Sequence, residues 1–372
     1  MPWNFRNTVS RTIHSEGLKT IKIAKVREKL REKGFEALLI KSLPNIYYLS
    51  GFTSEDAWLL LTLENSYLLT DFRYLEQAAS EANGFEIVRI DNNWEVVLAK
   101  LAANFKVIGI EEDILTWAEY RKIKQTLSSP TLADASALLK ELRQIKEPSE
   151  IEKISQAVRI TDEALAEVLE KISGGLREEE IALALEFALR RRGASGKSFE
   201  FIVASGERSS LPHGTASGKT LQRGELLTID FGAKYQWYCS DLTRTVILGE
   251  PEPKQQEIYN IVLEAQLAAL AAIKPGMSGQ EVDAVAREII KSYGYGEYFG
   301  HGLGHSVGLE IHESPRFSPS ESKTLKPGMI MTVEPGIYIP GWGGVRIEDM
   351  VLVTENGVEV LTQAPKQFII ID

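Results

Sequence analysis

A chain of 372 residues exceeds what one hydrophobic core usually organises, so the length predicts two domains, with apolar and charged fractions ordinary for a globular protein. Forty-two basic against fifty-two acidic side chains give a net charge of −10, which argues against nucleic acid as the main partner. The single cysteine, Cys239, excludes an intramolecular disulfide and suits a reducing, cytoplasmic compartment, and no apolar run is long enough to cross a bilayer.

The first twenty residues lack the apolar stretch of a secretory signal and are read as an extension outside the fold, poorly ordered and derived from an upstream start or an added segment. Arg6, Arg11 and Lys19 against one acid leave a short organellar presequence open. Regular periodicity begins at Ile21. Ile23, Val26 and Leu30 recur at helical spacing, and Ala37, Leu38, Leu39 and Ile40 form a short apolar run. Residues 58–62 and 67–70 flank Glu64-Asn65-Ser66 and predict a β-hairpin. Helix-like stretches at 74–82, 94–103 and 117–127 then alternate with strand-like 86–90, 107–111 and 131–133, the signature of an α/β domain over residues 21–143.

A charged stretch at 140–152 contains Pro148, and Pro148-Ser149 followed by two acids is a helix start, since proline fits the first turn and acids favour its positive end. The domain boundary is therefore placed at 143–149, with a second domain over 144–372. That domain reads as two related halves of αββ form. A helix at 181–192 precedes strands at 199–204 and 226–246, and a helix at 282–293 precedes strands at 329–339 and 344–353.

Chemistry concentrates in those halves. In LLTIDFGAKYQWYCSDLTRTV, two apolar strands flank a loop at 232–236, and an antiparallel hairpin sets Asp230 opposite Asp241. Alternation puts Thr228 and Asp230 on one face, and Asp241, Thr243 and Thr245 on the facing side. In MIMTVEPGIYIPGWGGVRIEDMVLV, Glu334 ends a strand, while Glu348 is expected inside a strand over 345–353, on the same face as Arg346. His305, in HGLGHSVGLEIHE, adds a nitrogen donor. A lone acid or histidine usually means a solvated surface group. Here four of the five histidines, His213, His301, His305 and His312, fall in this half of the chain, and four acids converging on one point repel strongly unless cations lie between them.

The segments SLPHG, TIDFGAKYQWYCSDLTRTV, FGHGLGHSVGLEIHESP, VEPGIYIP and GGVRIED resemble the pita-bread metallopeptidases, in the branch of prolidases and aminopeptidases P, and SGF and TDFRY extend the likeness into the amino-terminal half. The resemblance implies an α/β (α+β) chain in which a creatinase-type α/β domain is followed by a pita-bread domain with pseudo-twofold halves. It implies two divalent ions, Mn²⁺ or Co²⁺ with Zn²⁺ as an alternative, a choice that fits a carboxylate-rich site with one imidazole. On this likeness Asp230 chelates one metal, Asp241 and Glu348 bridge both, and His305 and Glu334 bind the second. Water between two such ions has a lowered pKa, and Glu334 is the proton shuttle to the leaving nitrogen. His301 and His312 hold the substrate carbonyl and developing anion, and His213 lies near the leaving proline. Arg346 either orients the acids or meets a substrate carboxylate.

The activity so implied is hydrolysis of the bond before proline, whose imide nitrogen lacks a hydrogen and whose fixed φ suits a dedicated enzyme. The short chain and compact amino-terminal domain tip the reading to an Xaa-Pro dipeptidase. The alternative is an aminopeptidase P acting on longer peptides. A metal-free creatinase-like hydrolase or a binding protein on the same scaffold is the remoter reading, disfavoured because all five ligand positions are filled. The substrate is thus a proline-containing peptide, with no nucleic acid or membrane partner. A homodimer is expected, the 51–58 loop reaching a neighbour's active-site mouth. Cys239 is read as a packed residue, and Trp237 and Tyr238 as either hairpin-tip packing or substrate border.

Overall fold

The computed structural model describes residues 6–91, 94–127 and 129–372, with side chains from residue 19 onward. They form two compact units that divide between Leu142 and Arg143. Of the extension expected over 1–20, the first five residues lie outside the described ones. The backbone of the remainder is the start of helix α1 (Arg6–Lys33), whose Ile23, Val26 and Leu30 are buried at the expected helical spacing.

In the first unit the strands β1 (Ala37–Ile40), β2 (Ala57–Thr62), β3 (Ser66–Thr70), β4 (Glu86–Arg89), β5 (Val107–Ile110) and β6 (Thr131–Asp134) form one sheet in the order β4-β3-β2-β1-β5-β6. β1 is buried along its whole length, as its unbroken apolar run requires of a central strand. The β2–β3 hairpin pairs Trp58 with Leu69 and Leu60 with Tyr67, and the Asn65 amide closes its turn on Thr62 Oγ1 at 2.8 Å. Helices α3 (Leu75–Glu81), α4 (Trp94–Ala102) and α5 (Trp117–Thr126) follow the predicted alternation, the last opened by a Thr116/Glu119 capping box. Two short helices, α2 (Leu43–Ser50) and α6 (Ser136–Gln144), escape the sequence reading because about two turns hold too little periodicity to register.

The second unit opens with α7 (Pro148–Leu169), with Pro148 in its first turn as predicted, followed by α8 (Glu178–Arg191). Next come β7 (Gly196–Lys197), β8 (Ile202–Ser205), β9 (Leu226–Phe231), β10 (Ala233–Tyr235), β11 (Tyr238–Cys239) and β12 (Leu242–Leu248). The pattern then repeats: helices α9 (Pro253–Ala272) and α10 (Gly279–Ser292), then β13 (Gly304–Ser306), β14 (Glu313–Phe317), β15 (Ile330–Val333), β16 (Gly336–Ile339), β17 (Gly343–Arg346), β18 (Asp349–Thr354), β19 (Gly357–Val360) and β20 (Ile369–Ile371). One sheet runs β20-β12-β9-β8 and shares a core with α7 and α8; the other runs β14-β13-β15-β18-β19 and shares a core with α9 and α10. The repeat read in the sequence is therefore two helices and a sheet per half, with one more helix in each than αββ allowed.

α9 was not anticipated as an element at all. Its apolar and alanine positions spread around the helix, and buried Gln255 and Gln266 interrupt any stripe, so no single face marks it in the sequence. Gln266 is buried because its amide donates to Asp349 Oδ2 at 2.7 Å.

Period-two alternation positions the site. In β9, Leu227, Ile229 and Phe231 enter the helix-backed core, which turns Thr228 and Asp230 to the opposite face. In β15, Met331 and Val333 do the same for Thr332. Two expectations need correction. Asp230 pairs with Thr243, and Asp241 lies one residue before β12, so the two acids are offset along the hairpin. The cause is a second ribbon: residues 232–236 are no plain loop, because β10 and β11 pair and reverse at Gln236 and Trp237, both at positive φ (45° and 77°). Gly232 makes this fold-back feasible, since a Cβ there would lie 1.9 Å from the Ser240 carbonyl oxygen. Glu348, expected inside a strand, instead sits in the break between β17 and β18, which belong to different sheets.

Among the described residues, no helix is long and apolar enough to cross a membrane.

Candidate metal centre and active site

The break at Glu348 brings the two halves together. The Glu348 amide donates to the Thr243 carbonyl at 3.1 Å, and Thr243 Oγ1 donates to Glu348 Oε2 at 2.6 Å. Behind them the fully buried Arg244 spends all its donors on fixed acceptors, among them the Thr243 and Glu348 carbonyls and Asp349 Oδ1 (2.8 Å). Its charge is thereby matched by one carboxylate and several carbonyl dipoles, the condition under which a buried guanidinium is tolerated.

Asp241, His305 and Glu348 present ligand atoms that all lie within 4.8 Å of one another. Glu334 Oε1 is 3.3 Å from His305 Nε2, and Asp241 Oδ2 is 3.6 Å from it. Asp230 stands beside this cluster, its Oδ2 accepting from Arg346 Nη2 at 2.7 Å. His305 Nδ1 lies 3.2 Å from the Ser306 carbonyl, which can only accept; the proton therefore sits on Nδ1, and the Nε2 lone pair faces the acids. One threonine sets two of these groups: Thr332 Oγ1 accepts from the His305 amide and donates to Glu334 Oε1, each at 3.0 Å.

Burial pushes Asp241 and Glu348 well above the usual carboxylate range, and the neighbouring acids push them further. Burial also raises Glu334 to about 7, against the pull of Arg346, and raises Asp230, with Arg346 again opposing. His305 is driven down to about 3, chiefly by burial, so its imidazole is neutral. If all four acids were ionised against Arg346, three negative charges would stand uncompensated in a buried place, so the acids must either keep protons or share a counter-charge. Among the described residues, Asp230 Oδ1 and Glu348 Oε1 are buried side-chain oxygens with no hydrogen-bond donor. Each belongs to an acid whose other oxygen is held by protein, so the unpartnered oxygen is the one free to ligate. Carboxylate oxygens with one neutral imidazole form a donor set suited to a divalent cation.

The cluster opens on a cavity of about 700 Å³ whose walls include His213, His301, His312 and Arg346, so the five expected ligands and these four residues reach one space, whereas Trp237, Tyr238 and Cys239 do not line it. The attachments of these four differ. Both nitrogens of His301 are engaged: Nδ1 donates to the Gly302 carbonyl at 2.7 Å, and Nε2 accepts from the Tyr338 hydroxyl at 2.9 Å. Tyr338 in turn accepts from Arg346 Nη1 at 2.8 Å, giving a continuous chain from Asp230 through Arg346 and Tyr338 to His301. Burial, and then Arg346, lowers His301 to about 4. His312 stands edge-to-face against His305 with ring centroids 4.5 Å apart, its pKa lowered by burial and by Arg316. His213 is exposed on the loop that follows β8.

Sequence reading passed over Tyr338, Thr332 and Arg316. Thr332 had a signal, since period two places it on the face of Glu334; Tyr338 shares the β16–β17 ribbon with Arg346, and Arg316 pairs with His305 across β13–β14, registers that spacing along the chain does not give. Arg346 is 3% exposed and bound to Asp230, Tyr338 and Thr243, which makes it a partner of the acids first.

His312 is anchored from the residue beside it. Glu313 Oε1 accepts from the amides of Leu309 (3.0 Å) and Glu310 (3.3 Å) and from Arg143, while Lys146 Nζ lies 3.3 Å from Oε2. Burial alone would raise this carboxyl; Lys146 and Arg143 outweigh it and hold the group below its ordinary value of 4.5. A depressed folded pKa means that ionised Glu313 stabilises the fold above pH 4.5 and that this contribution is lost as pH falls through the lower folded value. Glu313→Gln is therefore expected to cost about 3–5 kcal/mol at pH 7, as for one partner removed from a buried ion pair. The gap to the parent protein narrows below pH 4.5 in denaturant titrations; a gap independent of pH would remove the ion pair as its source.

Comparison with known proteins follows the same division of the chain. The pattern of metallopeptidase family M24 matches residues 152–355, and that of the creatinase/prolidase N-terminal domain matches residues 22–145. A solved Xaa-Pro dipeptidase from Bacillus anthracis superposes with a TM-score of 0.93 at 45% identity, covering 95% of this chain and 99% of its own. An Xaa-Pro dipeptidase of Pyrococcus horikoshii is 41% identical over 94% of this chain and 98% of its own length. An X-Pro aminopeptidase structure from Thermotoga maritima is also 41% identical, with a TM-score of 0.85 over 91% of this chain and 98% of that one.

Proposed function

The chain belongs to metallopeptidase family M24 behind a creatinase/prolidase amino-terminal domain, and from that premise we propose that it hydrolyses Xaa-Pro bonds, as a dipeptidase, with two divalent metal ions. The observation that carries the reading is the donor set itself: Asp241, His305 and Glu348 within 4.8 Å, Glu334 against His305, and buried, unpartnered oxygens on Asp230 and Glu348. Asp230, Asp241, His305, Glu334 and Glu348 would hold the ions, with Mn²⁺ or Co²⁺ best suited to the oxygen-rich set. Bound cations supply Lewis acidity and lower the pKa of water.

The chain's own groups do the rest. Glu334 takes a proton from the attacking water and delivers it to the proline nitrogen, a task suited to a carboxylate with one oxygen steadied by Thr332. His312 and the Tyr338–His301 pair border the carbonyl and stabilise the developing anion. Arg346 holds Asp230 in place and keeps Tyr338 directed at His301. His213 borders the leaving proline from its exposed loop.

Dipeptide preference draws support from Arg316, which lines the same cavity and has no ion-pair partner among the described residues. A guanidinium there matches the free carboxylate that a dipeptide presents one residue beyond the scissile bond and a longer peptide does not. Relatives of both kinds share the scaffold, so chain length is the property to test. Kinetics on an Xaa-Pro dipeptide and on Xaa-Pro-Xaa tripeptides after Mn²⁺ or Co²⁺ loading decide it. Cleavage confined to the dipeptide is expected; faster turnover of the tripeptides would assign an aminopeptidase P. The amino-terminal unit serves assembly in the same proposal, giving a homodimer in solution by sedimentation.

A further inference from the structure

Two buried acids that play no part in the reading above each fasten a loop carrying one of its histidines. Glu178 is the first residue of α8, so its carboxylate lies at the positive end of that helix, and the residue is fully buried. A carboxylate so placed must be saturated with donors, and it is. Oε1 accepts from the Ser205 amide (2.8 Å) and hydroxyl (2.9 Å), and Oε2 accepts from the Ser217 amide (3.1 Å) and hydroxyl (2.6 Å). Arg208 Nε adds a charged contact at 3.0 Å, and its Nη2 reaches the Thr215 carbonyl at 2.6 Å. One side chain thus ties both ends of the segment that bears His213. The middle is pinned as well, where the Gly344 amide donates to Ser209 Oγ at 2.8 Å.

The second half uses the same device on a different loop. Asp283 of α10 is 1% exposed; its Oδ1 accepts from the Leu303 amide at 3.0 Å, and Arg287, one turn along the helix, binds both its oxygens at 2.7 and 2.9 Å. Arg287 then donates to the Phe299 and His301 carbonyls, each at 2.8 Å. The loop is held on both sides of His301 and at His301 itself. Loop 205–217 follows β8 whereas loop 299–303 precedes β13, so a shared ancestral loop does not explain the likeness; what recurs is a buried acid, an arginine and a histidine-bearing loop.

We propose that the pairs Glu178–Arg208 and Asp283–Arg287 are positioning residues, the first acting through His213 on binding of the leaving proline and the second through His301 on the substrate carbonyl. The inference rests on the reading that those histidines face the substrate. A site is only as well organised as the shell that supports it, and a loop fixed in the free enzyme spends no binding energy on being ordered.

The test uses the full-length, metal-loaded protein. Glu178→Gln puts an amide group against backbone donors, and is expected to raise KM for an Xaa-Pro dipeptide about tenfold with kcat changed less than about threefold. Metal content per chain stays at the parent value, and amide hydrogen exchange accelerates over 205–217 but not over 299–303. Asp283→Asn gives the reverse exchange pattern. In a His213→Ala background, Glu178→Gln adds less than about twofold to KM, since coupled residues are not additive. An undiminished effect in that background, or parent-like exchange over 205–217, overturns the proposal. Arg208→Gln removes one donor while leaving the Ser205 and Ser217 contacts, and replaces Glu178→Gln if that variant does not fold. Exchange needs no turnover, so an absence of Xaa-Pro cleavage in the parent would overturn the functional reading while the loop clamp is still decided.

Discussion

Replacing Glu334 by glutamine is expected to lower kcat at least about a thousandfold on an Xaa-Pro dipeptide, the upper part of the range for loss of a general acid–base group compounded by loss of a charged ligand. Glu334 follows β15 immediately, with Thr332 Oγ1 on its Oε1 and His305 Nε2 3.3 Å away. Glutamine keeps the shape and the bond to Thr332 but can neither accept a proton near neutral pH nor offer a second anionic oxygen. KM is expected to move much less than kcat, because the group acts on the reacting atoms and not on the substrate's ends. Single-turnover kinetics with metal content measured on the same sample check this. Near-parent turnover with full metal content would remove Glu334 as proton shuttle.

Chelation gives the second large effect. Stripping divalent ions is expected to abolish turnover and to lower the melting temperature, and Mn²⁺ or Co²⁺ should restore both. The physical reason is the repulsion among Asp230, Asp241, Glu334 and Glu348, for which Arg346 on Asp230 is the one cationic side chain within hydrogen-bond reach among the described residues. A ligand at a hundred times its dissociation constant stabilises by about 2.7 kcal/mol. For a unit of this size that corresponds to roughly 5–10 °C. Calorimetry with and without chelator, alongside metal analysis of the loaded protein, measures the shift and the stoichiometry. A chelated protein that melts and turns over as before would sink the metal reading, and one ion per chain at saturation would limit the centre to Asp241, His305 and Glu348.

The amino acids of the candidate centre were legible because the signals are local. Asp230 lies in a strand whose alternation gives away its face, Glu334 ends an apolar run, and His305 sits among glycines with His301 and His312 close by. The amino-terminal α/β alternation was legible for the same reason, since a strand of four apolar residues between turns writes its own pattern. Register was not. Asp230 faces Thr243 because a two-residue turn at Gln236 and Trp237 adds a ribbon that sequence spacing alone cannot distinguish from a loop. α9 was lost because Gln255 and Gln266 lie on its buried face and Leu267 and Ala271 on its exposed one, so its buried stripe is not an apolar stripe, although its length is the greatest in that unit after α7.

Sequence by itself determined which side chains are the candidates for the chemistry, the division into two domains' worth of pattern and the repeat within the second, because composition and short-range periodicity depend only on neighbours along the chain. Tertiary structure alone decided how those side chains are brought together. It opened the strand at Glu348 so that the two halves meet at Thr243, carried Arg346 across to Asp230, and set Tyr338 between Arg346 and His301. It also buried Glu178 and Asp283 beneath the histidine loops. Each of these contacts spans many residues and two or more elements, and their geometry is fixed by how sheets pack on helices, which no local pattern encodes.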